Sequence, residues 1–171
     1  MDTQPDKSRL LIVWHSRTGA SEAMANAAAE GAREAEHGSV AVDLLRARDA
    51  SADHVLAASV CLFVCPENLA TMSGEMKEFF DRTYYPALGR IEGRAFATII
   101  AAGSDGSGAQ RQIDRIAQGW RLKRVAEEMI VNFDAQTPEA ILAPKAVSEE
   151  TLARCREIGA ALASGAAMGV F

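Results

Sequence analysis

The chain has 171 residues, with 18 Lys and Arg against 23 Asp and Glu for a net charge of -5. That length suits one domain with a full core, and the acidic balance argues against nucleic acid or an acidic membrane surface as the main partner. The three cysteines, Cys61, Cys65 and Cys155, show no C-x-x-C spacing, so neither a disulfide framework nor a zinc knuckle is indicated.

Met1 to Arg9 is polar and lacks the apolar centre of a signal peptide, and no run is long enough to span a bilayer. Residues 1–8 are expected to be flexible, and the protein to be cytoplasmic without stable membrane insertion. Arg9 to Trp14 reads as the first buried strand. The first helix is expected over Ser21 to Glu36, with His37-Gly38 as its stop. Val40 to Leu45 is a second strand, and Ser51 to Ala58 a short helix. Ser59 to Cys65 is a third strand, apolar almost throughout, as befits a strand covered on both faces. Cys61 and Cys65 share parity and therefore one face of it. After a loop over Pro66 to Thr71, Ser73 to Tyr84 reads as a helix broken by Pro86 and Gly89.

Ala95 to Ala101 is a fourth strand, followed by a Gly/Ser loop. Ser107 and Gln110 have the spacing of a capping box, opening a helix with Ile113, Ile116, Ala117 and Trp120 on one face. Glu128 to Phe133 is a fifth strand, Asp134 to Val147 reads as irregular, and Ser148 starts the last helix with Glu149 and Glu150 in its first turn. Strands alternating with helices imply an α/β fold, a five-stranded parallel sheet with right-handed crossovers.

Such a sheet binds ligands beyond the carboxyl ends of its strands, at the topological switch point. In the order 2-1-3-4-5, the loops after strands one, three and four line one crevice. The first, His15 to Ser21, carries Ser16, Thr18, Gly19 and Ser21 at the start of a helix. First-turn N–H groups and the positive end of the helix dipole suit a phosphate there without any lysine. The sequence has no G-x-x-x-x-G-K-[ST] and no G-x-G-x-x-G in the first turn, although Asp43 stands where a ribose-binding acid would. Trp14-His15 and Cys65-Pro66 replace the acids of a receiver domain, and no C-x5-R exists for a cysteine phosphatase.

The three loops together resemble those of the flavodoxin-like family over Leu10 to Phe133. His15-Ser16-Arg17-Thr18-Gly19-Ala20-Ser21 is similar to the family's [ST]-x-T-G-x-[ST] phosphate loop. Pro66 to Gly74, continuing through Met76-Lys77-Glu78-Phe79-Phe80-Asp81-Arg82, resembles the second flavin loop of the reductase branch. Ala102 to Gly108 resembles the third. The resemblance implies a flavodoxin-like three-layer sandwich binding FMN without a covalent link and needing no metal. It implies cofactor contacts from Ser16, Arg17, Thr18, Gly19, Ala20, Ser21, Pro66, Glu67, Asn68, Leu69, Met72, Gly103, Ser104, Asp105 and Gly108. Neither the second nor the third loop holds Trp, Tyr or Phe, whereas electron-carrying flavodoxins usually sandwich the flavin between aromatics. That favours an NAD(P)H-dependent FMN or quinone oxidoreductase, with NAD(P)H and a small-molecule or protein acceptor as partners. A non-enzymatic electron carrier and a flavin-binding regulatory module are the alternatives, and a homodimer or tetramer is compatible with either.

Several residues have two readings. Arg17 neutralises the phosphate or is simply solvated. His15 is a proton donor or an ordinary loop residue, and His37 and His54 are expected at the surface. Glu67, Asn68 and Asp105 bond flavin atoms or stabilise turns. Gly103, Gly106 and Gly108 admit the ring or serve the turn; the resemblance favours the ring. Met72 lies against the ring or packs, and Tyr84 and Tyr85 reach a neighbouring subunit's flavin or pack at a helix end.

Overall fold

In a computed structural model of the protein, residues 7–171 are described. Arg9–Trp14 (β1) pairs in parallel with Ala41–Arg46 (β2) on one side and Val60–Asn68 (β3) on the other. β3 pairs in parallel with Ala95–Ala102 (β5), which pairs in turn with Lys123–Arg124 (β6) and Met129–Asn132 (β7). The order of the long strands is therefore the expected one. The sheet nevertheless has seven strands rather than five, because the last strand is split and a short antiparallel strand, Thr71–Met72 (β4), joins β3. From Lys123 to Met129 the chain advances six positions while its partner advances only four, from Ala95 to Ile99. The excess bulges out and interrupts the ladder.

Alternation along the buried strands feeds two cores. Leu10, Ile12 and Trp14 of β1, with Val60, Leu62 and Val64 of β3, face Ala20–Glu36 (α1) and Glu149–Met168 (α6). Leu11, Val13, Cys61, Phe63 and Cys65 face Ala52–Ala57 (α2), Gly74–Ala87 (α3) and Ser107–Gly119 (α4). The two layers differ in grain. Under α1 lie Ala95, Ala97 and Ala101, and the helix itself buries Ala25, Ala28, Ala29 and Ala32. On the other face Phe63, Phe79, Phe80, Phe96 and Trp120 form a chain of tilted aromatic contacts. The alanine layer lets helices meet at backbone distance. A Cβ on Gly159 would stand 1.8 Å from the Ala28 carbonyl oxygen, and one on Gly31 2.1 Å from that of Arg156.

Several boundaries differ from expectation for local reasons. Ser8 is tied down, its carbonyl accepting from Ala41 N–H at 2.9 Å and its hydroxyl donating to Ala166 at 3.0 Å; the rest of the expected flexible tail, apart from Lys7, lies outside the described residues. α3 runs through Pro86 to Ala87, with the helix ending one residue after the proline. His54 accepts the Ser51 backbone N–H at 3.0 Å and so closes a capping box on α2. The Ser107/Gln110 box does not form. Gly106 is the N-cap of α4, and Gln110 is buried instead, accepting from Thr98 Oγ1 at 2.8 Å and donating to Asp114 at 3.1 Å. The stretch expected to be irregular contains a short helix, Pro138–Leu142 (α5), with Thr137 as N-cap and proline in its first turn.

Candidate functional site

The first loop turns tightly. Ser16 Oγ accepts the Gly19 N–H at 3.0 Å, and Gly19 caps α1 with φ 97°, a conformation that costs glycine nothing. Among the described residues no side chain caps α1, so its first-turn donors lie at the positive end of the dipole without a side-chain acceptor. Ser21, the second helical residue, is 1% exposed, and its Oγ is the one buried side-chain polar atom without a hydrogen-bond partner among the described residues. Arg17 is exposed beside them. Uncapped helix, orphaned hydroxyl and adjacent guanidinium fit a phosphate group.

The second loop is not an open loop. Pro66, Glu67 and Asn68 prolong β3, and Glu67 and Asn68 pair with Met72 and Thr71 in a hairpin. Its tip is Leu69-Ala70, with φ 53° and 63°. A two-residue turn with both φ positive is usually made by Asn-Gly, and left-handed backbone costs roughly 1–2 kcal/mol per ordinary residue. The third loop holds this tip in place. Glu67 accepts N–H bonds from Gly106 at 2.9 Å, Gly108 at 2.9 Å and Ala109 at 3.1 Å. Gln112 accepts the Met72 N–H at 2.8 Å. The carboxylate thus caps α4 from a different loop, which leaves α1 and α4 in opposite states: one N-terminus filled by the protein, the other open.

A cleft enclosing about 510 Å³ of space, part of it bulk solvent, opens between the loops. Arg17, Thr18, Ala20, Pro66, Glu67, Asn68 and Gly103 line it. Other expected site residues lie elsewhere. Leu69 projects into solvent, 98% exposed, while Met72 is buried in the aromatic core. Asp105 accepts from Ser107 N–H and Oγ at 3.2 and 2.8 Å, and Ser104 accepts from Asn132 through its carbonyl at 2.6 Å. Protein atoms account for the glycines of the third loop. A Cβ would stand 2.0 Å from the Ala70 carbonyl at Gly108, 2.8 Å from that of Ala135 at Gly103, and 2.4 Å from Ile130 Cγ2 at Gly106, whose φ is 92°.

His15 faces a separate polar depression with Trp14, Ser16, Glu22, Arg46, Arg48 and Glu75. Its Nδ1 lies 2.8 Å from Ser73 Oγ and its Nε2 3.6 Å from Glu75. Burial lowers the imidazole pKa, the Glu75 carboxylate opposes that shift, and Arg17 adds to it. Asp43 is taken by Arg9 at 2.7 Å. Tyr84, in the last turn of α3, stacks on Trp120 and does not line the cleft, which is the helix-end packing role.

The cleft also has a wall that the motifs did not indicate: Phe133, Ala135, Ile141, Leu142 and Lys145. Thr137-Pro138 was a readable helix start, and Ile141-Leu142 an apolar pair in polar surroundings. Their meeting with the first loop, through a Lys145 N–H to Thr18 carbonyl bond of 2.8 Å, has no local signature.

Among the described residues no helix is long and apolar enough to cross a membrane. The model of the flavodoxin family matches residues 12–144. A flavodoxin of Aquifex aeolicus (strain VF5) is 29% identical over 167 residues, covering 95% of this chain and 89% of the relative. Among solved structures, a flavodoxin from the domain Archaea superposes with a TM-score of 0.74 at 18% identity, covering 92% of this chain and 98% of that one. A WrbA-like protein from Agrobacterium tumefaciens does so at 0.68 and 19%, covering 94% and 98%. Open helix N-terminus, strand order and family match agree: the chain belongs to the flavodoxin family, a family of electron-transfer flavoproteins, and its cofactor is FMN.

Proposed function

We propose that this flavoprotein is an NAD(P)H-dependent reductase of flavin or quinone acceptors, working in the cytoplasm. In this reading the FMN phosphate sits on the first loop, held by the first-turn N–H groups of α1 and the hydroxyls of Thr18 and Ser21, with Arg17 outside. Pro66, Glu67, Asn68 and Gly103 border the ring. When bound, FMN supplies the hydride chemistry; the protein binds it, orients it and leaves it approachable. The carrying observation is the absence of any aromatic ring from Pro66 to Gly74 and Ala102 to Gly108, the loops that border the cleft. A flavin face that neither of these loops stacks on admits a nicotinamide, and then an acceptor, in the ~3–3.5 Å contact that hydride transfer requires.

Stopped-flow reduction of the FMN-loaded protein by NADPH and NADH tests this. A reductase is reduced far faster than free FMN under the same conditions; equal rates overturn the reading. A carrier that docks with a protein reductase is the second reading. It is favoured by Leu69, a 98% exposed apolar side chain on a strained turn that follows the cleft residue Asn68. Slow reduction by NAD(P)H combined with fast exchange with a protein reductase would select it.

A further inference from the structure

We infer that the segment from Thr137 to Lys145 is a strap that forms the apolar wall for the flavin ring, with Ile141 and Leu142 as its contacts. The inference rests on FMN occupying the cleft. The second and third loops offer the ring no aromatic partner, and a planar heteroaromatic ligand needs apolar surface to be held. The largest apolar side chains lining this cleft are Phe133, which leads into the strap, and Ile141 and Leu142 on it. Ile141 and Leu142 line the cleft yet are 50% and 64% exposed. Two adjacent large apolar side chains at a cleft mouth are stabilised when a ligand removes them from water.

The strap is fastened where such a wall must be. At the third loop, Phe133 N–H donates to the Ala102 carbonyl at 2.8 Å and Ala135 N–H to the Gly103 carbonyl at 2.9 Å. At the first loop, Lys145 N–H donates to the Thr18 carbonyl at 2.8 Å. The strap thus spans from the ring loops to the phosphate loop. Between these anchors α5 is only five residues long, too short to persist alone. Thr137 Oγ1 accepts the Ala140 N–H at 3.2 Å at its start. The Lys145 ammonium donates to the carbonyls of Ala140 and Ala143 at 2.6 Å and of Ile141 at 3.1 Å at its end. Lys145 is therefore a clasp for the helix that presents Ile141 and Leu142. Its three ammonium donors are taken by these three carbonyls.

The test compares the apoprotein with Ile141→Ala, Leu142→Ala and the double variant, titrated calorimetrically with FMN and with riboflavin. Removing methylenes that the bound ring would cover should weaken both ligands by the same factor, about tenfold in the double variant. It should also shift the long-wavelength absorption band of bound FMN toward that of FMN in water. Both side chains are half or more exposed, so thermal unfolding of the apoproteins should be unchanged; that control separates a lost contact from a lost fold. Unchanged affinities with an unchanged spectrum overturn the inference. So does a loss confined to FMN with riboflavin unaffected, which would place the strap against the phosphate. A wild-type protein that takes up no FMN would overturn the cofactor reading itself.

Discussion

Ser21→Ala should stabilise the apoprotein and weaken FMN binding at once. Its hydroxyl is buried and unpartnered, and a buried polar group left without a hydrogen bond costs about 1–3 kcal/mol. Alanine is also the better helix former by roughly 0.5 kcal/mol. Against these stands the small cavity left by one oxygen atom, so the apoprotein should gain about 1–2 kcal/mol. In the proposed complex the same hydroxyl would meet an anionic oxygen. A hydrogen bond to a charged group is worth about 1.5–3 kcal/mol, so the dissociation constant should rise roughly ten- to hundredfold. Urea unfolding of the apoprotein reads the first effect and calorimetric titration with FMN the second. Riboflavin, which lacks the phosphate, should bind the variant and the wild type equally. An apoprotein destabilised by the substitution, or an unchanged FMN affinity, would refute the assignment of this hydroxyl to the phosphate.

Thr18→Val should weaken FMN binding by about 1–3 kcal/mol, and Arg17→Ala by less because that side chain is exposed; the reverse ranking in the same titrations would invert the electrostatics proposed for the loop. Glu67→Gln replaces a carboxylate that accepts three N–H bonds at the α4 N-terminus. It should cost about 2 kcal/mol, read as a fall in melting temperature of roughly 4–8 °C. Gly159→Ala drives a methyl group into the Ala28 carbonyl at the α1–α6 contact and should cost about 1–3 kcal/mol in urea unfolding. His15 has a lowered pKa because burial disfavours its charged form. Between about 6.5 and that lower folded value, the unfolded chain binds the proton first. Stability should therefore fall as pH drops through this window, and His15→Gln should flatten that part of the pH profile of unfolding.

Much of this protein was readable from local pattern. Arg9 to Trp14 and Ser59 to Cys65 are apolar enough to demand cover on both faces, which with the alternation of helices prescribes a parallel sheet. The hydroxyl-rich turn from Ser16 to Ser21 announces a helix N-terminus, a short-range feature; that its hydroxyls leave the helix uncapped is visible only in the structure. Placing such loops at the switch point follows a general rule for doubly wound sheets, of which flavodoxins are a standing example. Partners brought in by the fold were not readable. Pro66 to Asn68 looked like loop, since proline and polar residues are poor strand formers; pairing with Thr71 and Met72 overrides that preference. The Ala70 carbonyl that packs against Gly108 comes from the second loop and leaves no mark in the local sequence. The bonds that Glu67 accepts from the Gly106, Gly108 and Ala109 N–H groups join loops far apart in sequence and have no local signature. His15 adjoins the phosphate loop in sequence, yet the ladder bond from its N–H to Val64 aims its ring at Ser73 and Glu75. Periodicity and capping act over a few residues and leave their mark in sequence order. The Lys145–Thr18 bond that closes the cleft joins distant segments, and only the packing of β7, α5 and α1 around one sheet edge brings it about.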